Sequence, residues 1–359
     1  MYKELVYLHS IWFSQKNLSL IFEKNDNYKE FFDNLSFETL SKYKIKDEKI
    51  FELMANYKTT DYSKIDKILE NEKIEIVTIN DSNYPELLKN IPNSPFLLYF
   101  KWEIRNDLSL LSIVGSRKNT RYSQVVLDSI IPWLVNNNFG IVSWWAYWVD
   151  SLAHSITLKN SWYTISVIWT WIDQIYPNSN KVLYENIVSN SWAIISIFRL
   201  GTWPEPYNFP IRNEIIAWLS RWTLITEAWD NSWTLITAQL ALELNRDVFV
   251  IPWDIGKDTS IGANRLIRDW LGKLIIEYKD ILSEYNITIN ENNKVKKETK
   301  WFSDEIEQKI FNELMKNSLD ASAIADKLWL DIEVIWYKLS IMEICWHIEL
   351  SKTWNYYIK

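Results

Sequence analysis

The spacing of apolar residues changes three times along this chain. Up to about residue 75 the segment is polar and rich in Lys, Glu and Asn. Its apolar residues recur three and four apart (Leu18, Ile21, Phe22; Phe31, Phe32, Leu35), the period of a helix with one buried face. Residues 1–75 are therefore predicted to form a small helical domain. Within it, His9-Ser10-Ile11-Trp12-Phe13-Ser14 fits either the turn of a helix-hairpin-helix or a loop of a plain helical bundle. From Ile74 to Lys101 the pattern reads as a strand, an Asn-Tyr-Pro turn, a short helix and a second strand.

Continuous apolar runs then alternate with amphipathic segments. The runs are Leu110–Val114, Ile141–Ser143, Thr164–Ile168, Ala193–Ile197, Thr223–Thr226, Val248–Ile251 and Leu274–Ile276. The segments between them (Ser123–Asn136, Asp150–Lys159, Ser179–Val188, Ile211–Leu219, Leu235–Leu244, Gly262–Asp269) have helical spacing. Strands that read as unbroken Ile/Val runs between helices belong to a parallel sheet covered on both faces. Residues 76–285 are thus predicted to form an α/β, Rossmann-like, doubly wound domain, with ligands at the carboxyl ends of its strands. Residues 286–300 (NITINENNKVKKETK) read as a linker. Residues 301–359 resume helical spacing (Ile306, Ile310, Leu314; then 321–328 and 332–339) and end in two alternating stretches around Lys352-Thr353-Trp354-Asn355. Three helices and a hairpin are the pattern of a winged helix, whose turn favours glycine where Trp354 stands.

Composition changes this picture at one point. The chain holds 22 Trp and only 6 Gly among 359 residues. Together they make up about 8% of the chain, close to the usual share of glycine alone, roughly 7%. The tryptophans cluster where strands turn into helices: Trp144, Trp145 and Trp148 in SWWAYWVD, Trp169 and Trp171 in VIWTWID, Trp229 and Trp233 in EAWDNSWT. Such turns require positive φ and close backbone approach, which glycine allows. The pattern predicts that many of these tryptophans stand at glycine positions, as in a gene that reads UGA as glycine and is translated with UGA as tryptophan. Trp133, inside a helical pattern, is the exception.

Other counts exclude whole classes. Cys345 is the sole cysteine, so no intrachain disulfide forms. His9, His154 and His347 lie far apart and give no metal-ligand spacing. No apolar run reaches the roughly 18 residues of a membrane span, and the N-terminus lacks a signal-peptide pattern. A cytoplasmic protein without metal or cofactor is expected. The net charge of −7 does not suggest a nucleic-acid partner, but its distribution is uneven. From Leu108 to Leu127 stand Arg117, Lys118 and Arg121 without an acid, and 262–268 carries Arg265 and Arg268 without one.

Five segments carry candidate chemistry. In Ile113-Val114-Gly115-Ser116-Arg117-Lys118 a buried strand ends in backbone N–H groups and an arginine fork, which suit an anion. In Ser143–Asp150, followed by His154, a glycine-decoded loop would cradle a phosphate. There Asp150 fits a helix N-cap better than a catalytic acid, and His154 a hydrogen-bonded packing residue. In Phe209-Pro210-Ile211-Arg212-Asn213, Pro210 suits a first helical turn, Arg212 and Asn213 sit near its positive end, and Phe209 serves either base stacking or the core. Ser232-Trp233-Thr234 and Gly262-Ala263-Asn264-Arg265 offer two more helix starts.

With tryptophan read as glycine, GSRKNTRYS, SWWAYWVDSLAH, VIWTWIDQIYP, NFPIRNEIIAWLS, EAWDNSWTLITA and IGANRLIRDW, in this order, resemble the DprA/Smf family of DNA-processing proteins. The resemblance covers roughly Ile74 to Ile276, and the C-terminal winged helix also resembles that family's. It implies a non-enzymatic homodimer that binds single-stranded DNA and loads the RecA recombinase onto DNA held by single-strand-binding protein in natural transformation. It carries the family's anion pocket onto Gly115, Ser116 and Arg117 and onto Phe209, Arg212 and Asn213, with Ser232 and Asn264 matching further motifs. The departure is tryptophan at the glycine positions. The competing reading is a nucleotide-handling enzyme of the phosphoribohydrolase (lysine-decarboxylase-like) type. Its loop would be followed by catalytic glutamates, whereas Trp233-Thr234 here precedes Leu235-Ile236-Thr237-Ala238, with no carboxylate for an acid–base step.

Overall fold

Short polar residues start the helices of the N-terminal third. The side chains of Ser14, Asn27, Ser36 and Asp61 accept the backbone N–H of Asn17, Glu30, Thr39 and Lys64, each at 3.2 Å. These bonds satisfy N–H groups that a first helical turn leaves without partners. In this computed structural model the described residues are 2–25, 27–116, 120–145, 149–168, 170–172, 181–190, 192–202, 208–285, 287, 304–314, 317–344, 347–351 and 354–358; of 181, 182, 208–210, 212, 344 and 358 only the backbone is described. The chain divides into two compact units, Met1–Asn293 and Lys294–Lys359. Most of the expected linker lies outside the described residues.

The first unit opens with six helices: α1 (Lys3–Ser10), α2 (Gln15–Lys24), α3 (Tyr28–Asp33), α4 (Phe37–Ser41), α5 (Asp47–Thr59) and α6 (Tyr62–Asn71). There follow β1 (Glu75–Thr78), α7 (Glu86–Lys89) and β2 (Leu97–Lys101). The alternating part comprises β3 (Ser109–Val114), α8 (Arg121–Asn136), β4 (Phe139–Trp144), α9 (Val149–Lys159), β5 (Thr164–Val167), α10 (Lys181–Ser189), β6 (Ala193–Ser196), α11 (Asn208–Leu219), β7 (Trp222–Ile225), α12 (Trp233–Glu243), β8 (Asp247–Val250), α13 (Ile261–Arg268), β9 (Lys273–Leu274) and α14 (Tyr278–Glu284).

The nine strands form one sheet in the order β1-β2-β6-β5-β4-β3-β7-β8-β9. β1, β2 and β6 pair antiparallel, and every pair from β6 to β9 is parallel. The chain enters this parallel part at β3, winds outward through β4, β5 and β6, and returns to wind the other way from β7. The order therefore reverses between β3 and β7, where a doubly wound sheet opens a crevice at its strand ends. β4, β5, β6 and β7 are buried along their whole length, which explains why they hold no charged residue and only an occasional Ser or Thr among apolar ones. β9 is shorter than its apolar run predicts, because Asp280 bonds the Ile276 and Glu277 N–H groups to start α14.

The N-terminal helices complete their core against the sheet. Leu5, Leu8, Leu18, Ile21, Ile50 and Leu53 share one cluster with Leu97, Tyr99, Trp171 and Ile194. Gln15 fixes the register: its Nε2 donates to the Leu97 and Ile197 carbonyls (both 3.1 Å) and its Oε1 accepts the Leu97 N–H at 2.8 Å. His9 Nδ1 lies 2.7 Å from the Tyr99 hydroxyl.

Tryptophan occupies the left-handed region repeatedly. Trp12, Trp270 and Trp329 have φ of 86°, 57° and 54°. Each comes just after a helix end, and the next residue's N–H (Phe13, Leu271, Leu330) bonds back to the carbonyl of Leu8, Leu266 and Ala325. That is the helix-ending motif in which glycine is the usual residue. Trp102 (68°), after β2, and Trp354 (61°), in the turn before the last strand, also have positive φ. Trp270 and Trp329 are 95% and 94% exposed, so no packing offsets their backbone conformation. Trp133 is different, stacking on Tyr278 with ring centroids 4.6 Å apart.

The second unit holds α15 (Glu305–Leu314), α16 (Ala321–Leu328), α17 (Ile332–Ile344) and an antiparallel pair, β10 (Ile348–Leu350) and β11 (Tyr356–Ile358). Its core comprises Ile310, Phe311, Ile324, Ile335, Leu339, Ile348 and Tyr356. Lys338 ties α17 to Asp304 (2.6 Å) and Glu307 (3.0 Å). The third helix runs five residues past its predicted end at Leu339, because Met342 still faces the core.

Two buried histidines make the first unit acid-sensitive. Burial holds His154 down at about 4, against a bond to the Trp144 carbonyl that favours its charged form. Burial, helped by the charge of Arg199, holds His9 at about 3. The unfolded chain therefore binds protons that the folded chain refuses, so stability is lost as pH falls from about 6.5 towards 4, by up to ~1.4 kcal/mol per pH unit for each histidine. Urea denaturation at pH 7 and pH 5 gives a lower midpoint at pH 5, and His154→Asn narrows the gap. An unchanged gap in that variant contradicts this account.

Candidate functional site

The site is built on the chain segments that leave β3 and β7. After Ile225 the ladder continues past the strand: Thr226 N–H donates to Val114 O (3.2 Å), and Ser116 N–H donates to Glu227 O (2.8 Å). On the other side, Gly262 N–H donates to Ala228 O at 2.8 Å. Thr226, Glu227 and Ala228 thus connect the end of β3 to the start of α13. Two glycines make this approach possible. A Cβ on Gly115 would lie 2.3 Å from Thr226 Oγ1 and 2.7 Å from a Val149 methyl. One on Gly262 would lie 2.4 Å from Trp229 O and 2.9 Å from Ala228 O, both backbone atoms.

A cavity of about 240 Å³ opens at this switch point, lined by Gly115, Ser116, Trp144, Trp229, Ser232, Trp233 and Thr234. Ser232 precedes α12, so the cavity faces the positive end of an eleven-residue helix. Several buried polar atoms close by have no hydrogen-bond partner among the described residues: Thr226 Oγ1, Ser232 Oγ and one carboxylate oxygen of Glu227. Asn213, fully buried on α11, leaves both Oδ1 and Nδ2 in the same condition. Such atoms are few in folded proteins, and each calls for a partner. The far end of α11 is fixed: the Arg246 guanidinium donates to the carbonyls of Ala217, Trp218 and Ser220, each at 2.5 Å. Burial lowers Arg246 to about 10.

The residues predicted from sequence separate into three groups. Gly115, Ser116 and Ser232 meet at the cavity. Arg117 and Lys118 lie outside the described residues; Phe209 and Arg212 lie in α11, but their side chains are not described. Asn264 and Arg265 do other work. Asn264 Oδ1 accepts the Trp253 N–H (3.2 Å) and its Nδ2 donates to Trp253 O (2.9 Å), which holds the loop after β8. Arg265 forks onto both carboxylate oxygens of Asp230. In the second motif, Asp150 lies in the first turn of α9, buried, and accepts from Ser143 Oγ at 3.1 Å. His154 bonds Thr164 (2.8 Å) and the Trp144 carbonyl (3.1 Å). Among the described residues no group of His, Cys, Asp and Glu could hold a metal ion, and no helix is long and apolar enough to cross a membrane.

Sequence reasoning missed Glu227. It is fully buried beside Ser116, and its Oε1 accepts from Thr120 N (2.9 Å), Thr120 Oγ1 (3.0 Å) and Ser123 Oγ (2.5 Å). The available signal was a lone carboxylate directly after a strand in the otherwise uncharged Thr223–Ala228.

The family described as DNA recombination-mediator protein A matches residues 75–286. A DNA processing protein DprA of Streptococcus pneumoniae is 35% identical over 221 residues, 60% of this chain and 76% of that protein. The solved structure of DNA processing protein A from Streptococcus pneumoniae superposes with a TM-score of 0.67 at 30% identity, covering 79% of this chain and 98% of that one. That of DNA processing protein A from Helicobacter pylori, described for its single-stranded DNA binding mode, shares the fold at 23% identity, with a TM-score of 0.53 over 59% of this chain and 95% of that one.

The contact at Gly262 is directly testable. Gly262→Ala forces α13 away from the 228–229 backbone, and overpacking of this kind costs ~1–3 kcal/mol. Denaturation should register that loss, whereas an unchanged midpoint would mean the two segments are not packed this closely.

Proposed function

The chain belongs to the DNA recombination-mediator protein A family, and from that membership we propose that it binds single-stranded DNA and loads the RecA recombinase onto DNA held by single-strand-binding protein. The observation that carries this reading is the switch-point cavity, where Gly115 and Ser116 face the start of α12, close to Thr226 and Ser232 hydroxyls that have no partner among the described residues. Backbone N–H groups and a helix N-terminus suit a phosphate. Arg117 adds a bidentate partner and Lys118 a second charge. Phe209 offers a face on which a base stacks, with Arg212 and Asn213 beside it on the first turns of α11. These contacts read phosphate and base faces, so binding is independent of sequence. The role is that of a binding mediator in natural transformation, and the site needs no cofactor. Asn264 and Arg265, at the start of α13, are two further candidate contacts in this reading.

Homodimer formation is part of this reading. It is supported by the open sheet edge at β9, where Trp270, Leu271, Leu274 and Ile276 are exposed together. The three helices and hairpin of residues 304–358 are read as a winged helix.

Glycine at the misplaced tryptophans completes the proposal. A bulky residue with positive φ costs roughly 1–2 kcal/mol. A buried donor without a partner costs ~1–3 kcal/mol, and the indole N–H groups of Trp145 and Trp171 are buried without a partner among the described residues. Trp144, Trp229 and Trp233 narrow the very cavity that would take a phosphate.

Two tests separate these statements. Arg117→Ala should weaken single-stranded DNA binding about tenfold on every sequence and flatten the salt dependence by about 0.7 in log–log slope, one phosphate contact; unchanged binding at moderate salt rejects the pocket. The chain with tryptophan as written and the chain with glycine at these positions should differ in melting and in DNA binding, the glycine form being the cooperative one. Equal melting and equal binding reject the glycine assignment, as do TGG codons at Trp144, Trp169 and Trp233.

A further inference from the structure

We propose that Asp230 gates the DNA pocket: its carboxylate stands in for a phosphate on Arg265 until a phosphate of the bound strand displaces it. The proposal rests on the functional reading above, and it concerns an acid to which the sequence motifs assign no role.

The pair stands at the wall of the cavity. Trp229 and Ser232, in the loop between β7 and α12, both line it. Between them the chain turns tightly: Asn231 takes a φ of 67°, and the Ser232 N–H donates to the Trp229 carbonyl at 3.2 Å. Asp230 therefore sits in the turn, flanked by lining residues. α13 reaches the same wall from the other side. Its Gly262 N–H donates to Ala228 O at 2.8 Å, and Arg265 follows three residues later, the spacing of neighbours on one helix face. The Arg265 guanidinium forks onto both carboxylate oxygens of Asp230. The two side chains are 44% and 42% exposed, so solvent and a ligand can both reach the pair.

A guanidinium fork makes the same two parallel N–H···O bonds to a phosphate as to a carboxylate, so one anion can replace the other on Arg265. An exposed ion pair contributes little to stability, because water competes for both charges. Arg265 can therefore leave Asp230 at small cost, and that cost lowers the affinity for DNA. A single free anion gives Arg265 no more than Asp230 already does. A strand held in the cavity presents its next phosphate at high effective concentration, and there the exchange becomes favourable. The second forked pair on α13, Arg268 with Asp269, provides the contrast. Arg268 lines a different cavity, with Leu242, Val248 and Leu274, so neutralising its acid changes the charge of the chain without touching the gate.

The experiment uses the full-length chain, in whichever of its tryptophan and glycine forms binds DNA. It compares that chain with Asp230→Asn, Asp230→Ser, Arg265→Ala, the Asp230→Asn/Arg265→Ala pair and Asp269→Asn. It reads binding of a labelled single-stranded oligonucleotide over a salt series. Both Asp230 variants should bind about threefold more tightly, with the log–log salt slope unchanged, because the contact exists in the unsubstituted chain and only its competitor is gone. Arg265→Ala should bind about tenfold more weakly, with the slope reduced by about 0.7, one phosphate contact. In the double variant Asp230→Asn should bring no gain over Arg265→Ala alone, since its effect passes through the arginine. Asp269→Asn should leave binding within about 1.5-fold. A gain from Asp230→Asn that persists without Arg265, or that Asp269→Asn reproduces, is an effect of net charge and overturns the proposal. Asp230 variants that bind as before, or more weakly because the turn is disturbed, overturn it as well, and so does an Arg265→Ala variant with normal affinity and slope. These outcomes leave the functional reading standing. If neither form of the unsubstituted chain nor any variant binds single-stranded DNA, that reading fails, and the gate fails with it.

Discussion

The three residues after β7 are the constraint on which the upper surface of this sheet depends. Thr226 and Glu227 extend the pairing of β7 with β3 beyond the last strand residue, and Ala228 receives the start of α13. A doubly wound sheet must separate its two halves where the strand order reverses, and that separation leaves backbone groups exposed at the strand ends. Here one strand exit satisfies both sides of the gap. The cavity is the space left between them, and its shape is set by glycines whose neighbours leave no room for a Cβ.

Tryptophan is conspicuous in this chain for separate, local reasons. A left-handed helix cap asks only that a residue tolerate positive φ, and an exposed indole at Trp270 or Trp329 gains no burial that would offset the strain. Trp145 and Trp171 sit at the opposite extreme. They are fully enclosed, so their apolar surface is buried well, but their N–H groups find no acceptor among the described residues. Exposed strain in one set and buried unsatisfied donors in the other share one property: removing the side chain relieves both. Trp133 does not share it, because its ring is stacked and its backbone is helical.

How much of this was legible in the sequence depends on how local each cause is. The parallel strands were legible because burial on both faces keeps the run apolar apart from small hydroxyl residues such as Ser112, Ser166 and Thr223. The turn at Trp354 was legible because a hairpin loop imposes its conformation on one residue. Glu227 was not, since its three donors come from residues more than a hundred positions earlier. Read locally, it is a strand end turning to solvent. The ion pair of Arg265 was equally non-local: the segment 262–268 contains no acid, and its partner Asp230 arrives from 35 positions away. Asn264 fits a ligand motif by type and spacing, but its amide pairs with backbone at Trp253 as a strand would. The share of the N-terminal helices in the sheet's core was equally non-local, because Gln15 meets Leu97 and Ile197 only once the sheet exists.

Electrostatics sets the remaining limit on the site. A chain with net charge −7 attracts an anion only where cations outnumber acids locally. Most arginines around the switch point are already committed: Arg246 to the carbonyls ending α11, Arg265 to Asp230 and Arg268 to Asp269. The buried Arg246 is withdrawn from any ligand, whereas the exposed pairs of Arg265 and Arg268 only offset local charge. On the proposed reading, phosphate recognition then falls first to the short cationic segment after β3, and a carboxylate beside that segment looks counterproductive. Glu227 lessens the conflict on one side only: its Oε1 is turned onto Thr120 and Ser123 and held there by three donors, while its second oxygen has no partner among the described residues. Donors of this kind spread the charge into the helix start and lower its repulsion of an incoming phosphate. A buried acid at a strand end can thus serve the fold by bonding the start of the next helix, and the unsatisfied half of its carboxylate remains the feature that any ligand of the cavity has to meet.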